Sequence, residues 1–180
     1  MGRLSFTANI SLDGYINDAD GNFDWSDPSD EVHMFFNDFE RPHGTHLYGK
    51  RLYETMAVWE TMPPTSPVMD DYAEVWRAAD KVVFSPSLPE VYTPRTTLVR
   101  EFSPEFVRSL KESSPKDLTI GGPTLAAQAM DLIDDVHLVL LPLVVGGGTR
   151  FFPDHVAARF TLADSRVFEN GTVHLHYAKA

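Results

Sequence analysis

Residues 117–133 read DLTIGGPTLAAQAMDLI, and this stretch decides the fold class. Asp117-Leu118-Thr119-Ile120 is a short apolar run of strand type, and Gly121-Gly122 interrupts it. Pro123 then supplies the fixed φ that suits the first turn of a helix, which continues through TLAAQAMDLI. Strand, glycine turn and helix in that order form the first part of a βαβ unit.

The same order appears on working outward. Upstream, His46-Leu47-Tyr48 meets Gly49 and a helix predicted from Lys50 to about Thr61, with Leu52, Met56 and Trp59 along one face. A Pro-rich loop, TMPPTSP, leads to a helix over 68–78 and a strand at 81–85, and a further strand near 96–99 precedes a helix near 104–112. At the N-terminus, residues 4–10 read as a strand closed by the turn Ser11-Leu12-Asp13-Gly14. Ser29-Asp30-Glu31 caps a helix carrying Val32, Phe35, Phe36 and Phe39. Downstream, 136–145 is apolar enough for a central strand, and Glu169-Asn170-Gly171 marks a terminal hairpin. The expectation is one domain over 1–180: a twisted, mainly parallel α/β sheet with helices on both faces and a C-terminal antiparallel hairpin. Ligands of such sheets bind beyond the carboxyl ends of the strands.

Composition narrows the partner. The 180 residues carry 26 acidic against 15 basic side chains, a formal charge of −11, and nine of the carboxylates fall between Asp13 and Glu40 with no Lys or Arg among them. Binders of nucleic acid or anionic membrane carry basic stripes, so a small molecule is the better candidate. The absence of cysteine excludes disulfides, thiolate metal sites and a Cys nucleophile. With no signal-type leader and no long apolar segment, a cytoplasmic location is the default.

Three glycine turns stand out: Tyr48-Gly49-Lys50-Arg51, Ile120-Gly121-Gly122-Pro123 and Val145-Gly146-Gly147-Gly148-Thr149-Arg150. The first two precede helices, where free N–H groups attract anions, although each is also an ordinary tight turn. No GxGxxG follows the first strand, so a dinucleotide needs another mode of binding. No metal is expected. Asp18, Asp20, Asn22 and Asp24 alternate like a calcium loop but have Ser29 at the twelfth position. His43 and His46 lack a third ligand in register, and His174 and His176 read as residues of an edge strand.

SLDGYI at 11–16, GKRLYE at 49–54, KVVFS at 81–85, TIGGPTLAAQAM at 119–130 and LPLVVGGGTRFF at 141–152 together resemble the dihydrofolate-reductase-like superfamily, in the branch formed by the reductase domain of bacterial riboflavin biosynthesis. The resemblance spans nearly the whole chain. It implies NADPH across the carboxyl edge of the sheet. Gly49, Lys50 and Arg51 match the motif that meets the cofactor's phosphates, with Lys in place of the first basic residue and Leu52 in place of the usual Thr. Ser85 and Ser87 match the loop beside the ribose phosphate, Gly121, Gly122 and Thr124 the pyrophosphate turn, and Gly147 lies in the glycine run near the active end.

Asp13 is the first catalytic candidate, because a carboxylate beside the nicotinamide can bind a polar substrate and stabilise an iminium accepting hydride. An Asp that merely shapes an Asp-Gly turn is the other reading. Glu31, with Asp30, is the second candidate, on the helix where dihydrofolate reductases carry their pterin-binding carboxylate; helix capping is the alternative. The implied function is NADPH-dependent hydride transfer to a C=N bond of a small heterocycle or ribosylamino-pyrimidine. Alternatives are reduction of a pterin and a nucleotide-binding module without turnover. The acidic stretch 13–40 speaks against a strongly anionic substrate. The apolar run 138–145 and the terminal hairpin offer a sheet edge for a homodimer.

Overall fold

A computed structural model describes residues 1–180. Eight strands form one sheet: β1 Leu4–Ile10, β2 His43–Gly49, β3 Asp80–Phe84, β4 Thr96–Val99, β5 Asp117–Ile120, β6 Asp135–Leu140, β7 Phe160–Val167 and β8 Val173–Lys179. Their spatial order is β4-β3-β2-β5-β1-β6-β8-β7. All pairs from β4 to β6 are parallel, and β8 runs antiparallel to both β6 and β7. The predicted parallel sheet and closing hairpin are therefore present.

Six helices cover the sheet: α1 Asp30–Glu40, α2 Lys50–Met56, α3 Val58–Thr61, α4 Pro67–Ala78, α5 Pro104–Ser113 and α6 Pro123–Gln128. Their starts follow from local chemistry. The side chains of Ser29, Ser66 and Ser103 accept the N–H of Val32, Met69 and Phe106, and proline occupies the first turn of α4, α5 and α6. The expected helix 50–61 is divided at Ala57 into α2 and α3, and the helix after Gly122 ends at Gln128 in favour of a short 3₁₀ turn, Met130–Leu132. The strand expected over 136–145 stops at Leu140, two residues before Pro142, which has no N–H to donate to a ladder.

The two faces of the sheet differ in chemistry. Under α5 and α6 lies the main apolar core, which includes Leu4, Phe6, Leu47, Leu118, Ile120, Val107 and Ala126. Tyr48, Tyr53, Tyr72, Trp76 and Val83 form a second cluster around α4. On the same face as this second cluster, under α1, the strands present a polar row: Ser5 opposite Asp135, Thr7 opposite His137, and His137 opposite His176. His174 and His176 do not lie at an edge, because β8 runs between β6 and β7; His174 is buried and its Nε2 meets Nδ1 of His137 at 3.0 Å.

Glu40, at the end of α1, is buried against this face with Oε2 3.6 Å from His43 Nδ1 and 3.5 Å from His46 Nε2. These contacts are too long for good hydrogen bonds, and the three atoms have no other partner. His46 Nδ1 meets the Tyr48 hydroxyl at 2.7 Å, which also accepts from Trp76 Nε1 at 3.2 Å. Burial pushes the Glu40 carboxyl up to about 8 and His46 down to about 3.

A carboxyl raised in the folded state contributes stability that is fully present below its unfolded value and is lost as pH rises through the folded one, here from about 4.5 to about 8. Glu40→Gln keeps the shape and removes the ionisation. The variant should therefore lose about 2–3 kcal/mol less stability than the parent between pH 6 and pH 8.5, measured by urea unfolding. Parallel pH profiles for the two proteins would show that Glu40 does not titrate as described.

Candidate active site

The carboxyl ends of β2, β5, β1 and β6 lie side by side, and Gly49, Gly121, Asp13 and the 145–148 loop extend from them. Two glycines begin helices without a side-chain cap: Gly49 before α2 and Gly122 before α6. A Cβ at either would meet nothing within 4 Å, so the backbone there faces open space, and Gly122 has a φ of 88°. Gly121 is constrained differently. Its missing Cβ leaves room for the Leu52 side chain, so α2 packs directly on the turn after β5. The Leu that departs from the expected motif is thus part of the turn's packing.

Asp13 links two loops. One carboxylate oxygen accepts the Val145 N–H at 3.2 Å and the other the Gly146 N–H at 2.8 Å. Hydrogen bonds from Ser11 and from these backbone groups hold the Asp13 carboxyl below the usual carboxylate range, so it is ionised at neutral pH. Around it, Leu12 N–H donates to the Leu143 carbonyl, Ile16 N–H to Thr149, and Phe151 N–H to Gly14. Asn17 Oδ1 accepts the Thr149 N–H at 2.8 Å. Gly148, with φ 134°, lies so close to the Asn17 carbonyl that no Cβ could be accommodated. Asp13 therefore does more than shape its own turn: it fixes the triple-glycine loop. Sequence reading missed this and the role of Asn17, because the partners lie more than 130 residues apart and no local pattern joins them.

The other candidates separate. Glu31 accepts the Glu169 N–H at 3.0 Å and Arg166 Nη2 at 3.1 Å, which ties α1 to the β7–β8 turn and holds its carboxyl low. Asp30 is exposed in the first turn of α1. Neither is brought to Asp13 by any hydrogen bond. Ser85 is buried, and its Oγ accepts the N–H groups of Ser87 at 3.3 Å and Leu88 at 3.0 Å. It shapes the loop and is not presented to a ligand, whereas Ser87 is exposed. Lys50 reaches only to 4.0 Å of Glu54, and Arg51 and Thr124 are exposed at the starts of α2 and α6. Gly147 belongs to the loop that Asp13 holds. Asp18 Oδ1 accepts the N–H groups of Asp20 and Asn22, as in a turn.

The open backbone at Gly49 and Gly122, with basic side chains beside the first, can receive the phosphates of an extended ligand, and the carboxylate of Asp13 stands at the other end of the row. The edge is short of positive charge elsewhere; Arg166 is engaged with Glu31, and Arg150 lies over the Tyr15 ring at 5.4 Å.

The model of the RibD C-terminal domain matches residues 3–174. An uncharacterized protein of Bacillus subtilis (strain 168), YwjB, is 28% identical over 176 residues, covering 95% of this chain and 94% of its own. Among solved structures, a Shewanella sp. PV-4 protein assigned to riboflavin biosynthesis superposes with a TM-score of 0.78 at 22% identity, over 100% of this chain and 99% of the other. A Thermotoga maritima diaminohydroxyphosphoribosylaminopyrimidine deaminase/5-amino-6-(5-phosphoribosylamino)uracil reductase gives 0.71 at 14% identity, over 99% of this chain and 57% of its own. Dihydrofolate reductase from Enterococcus faecalis, solved with NADP(H), gives 0.67 at 14%, over 99% and 96%. At these identities the likeness is one of fold, and the fold is that of dihydrofolate reductase.

The clasp on the glycine loop is open to direct measurement. Asp13→Ala should raise amide hydrogen exchange at Val145 and Gly146 by about tenfold or more, as expected when a hydrogen bond to a charged group is lost, and leave the β1 and β6 amides unchanged. Equal exchange in both proteins would contradict the role given to Asp13.

Proposed function

This chain belongs to the RibD C-terminal domain family, whose model matches residues 3–174, and on that premise we propose that it is an NADPH-dependent reductase of a C=N bond in a small heterocyclic or ribosylamino-pyrimidine substrate. The observation that carries the reading is the convergence of three glycine turns and an ionised Asp13 on the carboxyl edge of one parallel sheet.

When bound, NADPH supplies the hydride. The protein's part is placement and electrostatics. Lys50 and Arg51 receive the phosphate end of the cofactor beside Gly49, and Gly122, whose backbone faces open space, lets the pyrophosphate approach, with Thr124 at the following helix start, while Gly121 makes room for Leu52. The Gly146–Gly148 loop, held by Asp13 and Asn17, forms the wall at the reacting end. Asp13 is already ionised and hydrogen-bonded, so it does not serve as a proton donor. Its negative charge favours an acceptor that is cationic at carbon and nitrogen, as an iminium is. Ser85 does not contact the cofactor, because its hydroxyl is buried in its own loop.

The riboflavin-type substrate is preferred to a pterin because Glu31, on the helix where a pterin-binding carboxylate would be expected, is committed to Arg166 and the Glu169 N–H. Supplying 5-amino-6-(5-phosphoribosylamino)uracil, its dephosphorylated ribosylamino form, or dihydrofolate with NADPH and following absorbance at 340 nm should give turnover with the aminouracils, slower for the phosphorylated one because this edge has few free cations, and none with dihydrofolate. The reverse outcome would sink the preference. Independently of substrate, Lys50→Ala with Arg51→Ala should weaken NADPH binding about tenfold or more in a fluorescence titration, the loss expected from charge-assisted phosphate contacts. Unaltered affinity would remove these residues from the site.

A further inference from the structure

At the opposite edge of the sheet, where β1, β2, β5 and β6 begin, the molecule has a cavity of about 430 Å³ between the last turn of α1 and the strands. Seven residues of β1 separate it from the glycine turns, or about 20 Å at the usual rise of a strand. None of the residues considered for reduction lines it.

The walls are unusual for the start of a parallel sheet. His43, His137, Ser5 and Asp135 all line the cavity while each is more than nine-tenths buried. The flat surfaces belong to rings. Phe39 lies 4.8 Å from His43 and 4.6 Å from His137 between centroids, and His137 stacks on His176 at 4.2 Å with an interplanar angle of 11°. Of the hydrogen-bonding groups, Asp135 is satisfied by Arg3 at 2.6 and 2.9 Å and by His176 at 2.9 Å. Asp117 accepts only the Arg3 backbone N–H, and Asp38 has no partner. His137 uses Nδ1 toward His174, and His43 directs Nδ1 toward Glu40 without forming a hydrogen bond.

Charge sets the sign of what would fit. Three carboxylates, from Asp38, Asp117 and Asp135, meet one guanidinium, from Arg3. Burial holds His43 below its ordinary value and His137 down at about 3, so these imidazoles are neutral at pH 7 and offer lone pairs and ring faces rather than positive charge. Ser5 Oγ and the Nε2 atoms of His43 and His137 belong to buried side chains and make no hydrogen bond, and with Asp38 and Asp117 at the open rim they call for a hydrogen-bonding occupant. Ring faces beside carboxylates favour a flat, delocalised cation over a compact one.

We propose that this cavity is a second ligand site, taking a small planar cation, a guanidinium or a protonated aminoheterocycle, that lies along Phe39 and the imidazole rings and donates hydrogen bonds to Asp38 and Asp117. The cavity size suits a ligand well below the size of a dinucleotide. Because the site stands at the far edge, the proposal does not depend on the reductase reading.

Agmatine, which carries a guanidinium, and putrescine, which carries only ammonium groups, distinguish the planar from the compact cation. The full chain is titrated with each while the imidazole resonances are followed by NMR. Agmatine should shift His43, His137 and His176 saturably and leave His33 and His155 in place, and putrescine should bind more weakly. Asp38→Asn, a change at an exposed position that leaves the fold intact, should weaken agmatine about tenfold, as loss of one charge-assisted hydrogen bond does. Shifts that fail to saturate, an Asp38→Asn variant that binds as well as the parent, or equal affinity for putrescine would each overturn the proposal.

Discussion

Parallel pairing of β2, β5, β1 and β6 is the constraint on which the rest depends. It places four carboxyl ends in one row, so that the residues leaving them meet although they are far apart in the chain. Leu4 lies opposite Leu118 and Ser5 opposite Asp135. A slip of one residue would turn Leu4, Phe6 and Ile10 of β1 away from α5 and α6 and toward the polar face. The register thus fixes at once which side chains form the core and which turns share the edge.

Above that edge the backbone has been left bare where an anion would approach and held firmly where chemistry would occur. Gly49 and Gly122 face open space, while Gly148 is pressed against the Asn17 carbonyl and Gly146 is held by Asp13. The same acidic residue that gives the edge its negative charge also orders its loop. On the proposed reading, the contrast lets a protein with a formal charge of −11 receive a phosphate-bearing cofactor: its few cations at the edge, Lys50 and Arg51, stand at one end, and its anionic group at the other. The same accounting leaves little positive charge for a phosphorylated substrate, since Arg166 is paired with Glu31.

How much of this was legible in the sequence depends on the range of the interaction. The Ser29 cap, Pro123 in the first turn of α6 and Asn170-Gly171 act within a few residues, and the elements they mark are present where expected; Ser66 and Ser103 cap α4 and α5 over the same short range. The division at Ala57 lies in a segment with neither proline nor glycine, so nothing local announced it. Long-range partners were not legible. Nothing near Asp13 indicates Val145 and Gly146, and nothing near Ser85 shows that its hydroxyl faces its own loop. The histidines of β8 looked like edge residues because the terminal strand of a hairpin is commonly outermost, yet β8 inserts between β6 and β7. Burial and two stacked imidazoles then follow from strand order alone.

The central claim is that the cofactor lies on the glycine edge, and a backbone amide footprint tests it most directly. Addition of NADPH to uniformly ¹⁵N-labelled protein should shift the amides of Gly49, Lys50, Gly122 and Gly146 to Gly148, and leave those of His43, Asp117 and Asp135 at the opposite edge unchanged. Shifts confined to the opposite edge, or none at millimolar NADPH, would contradict the account.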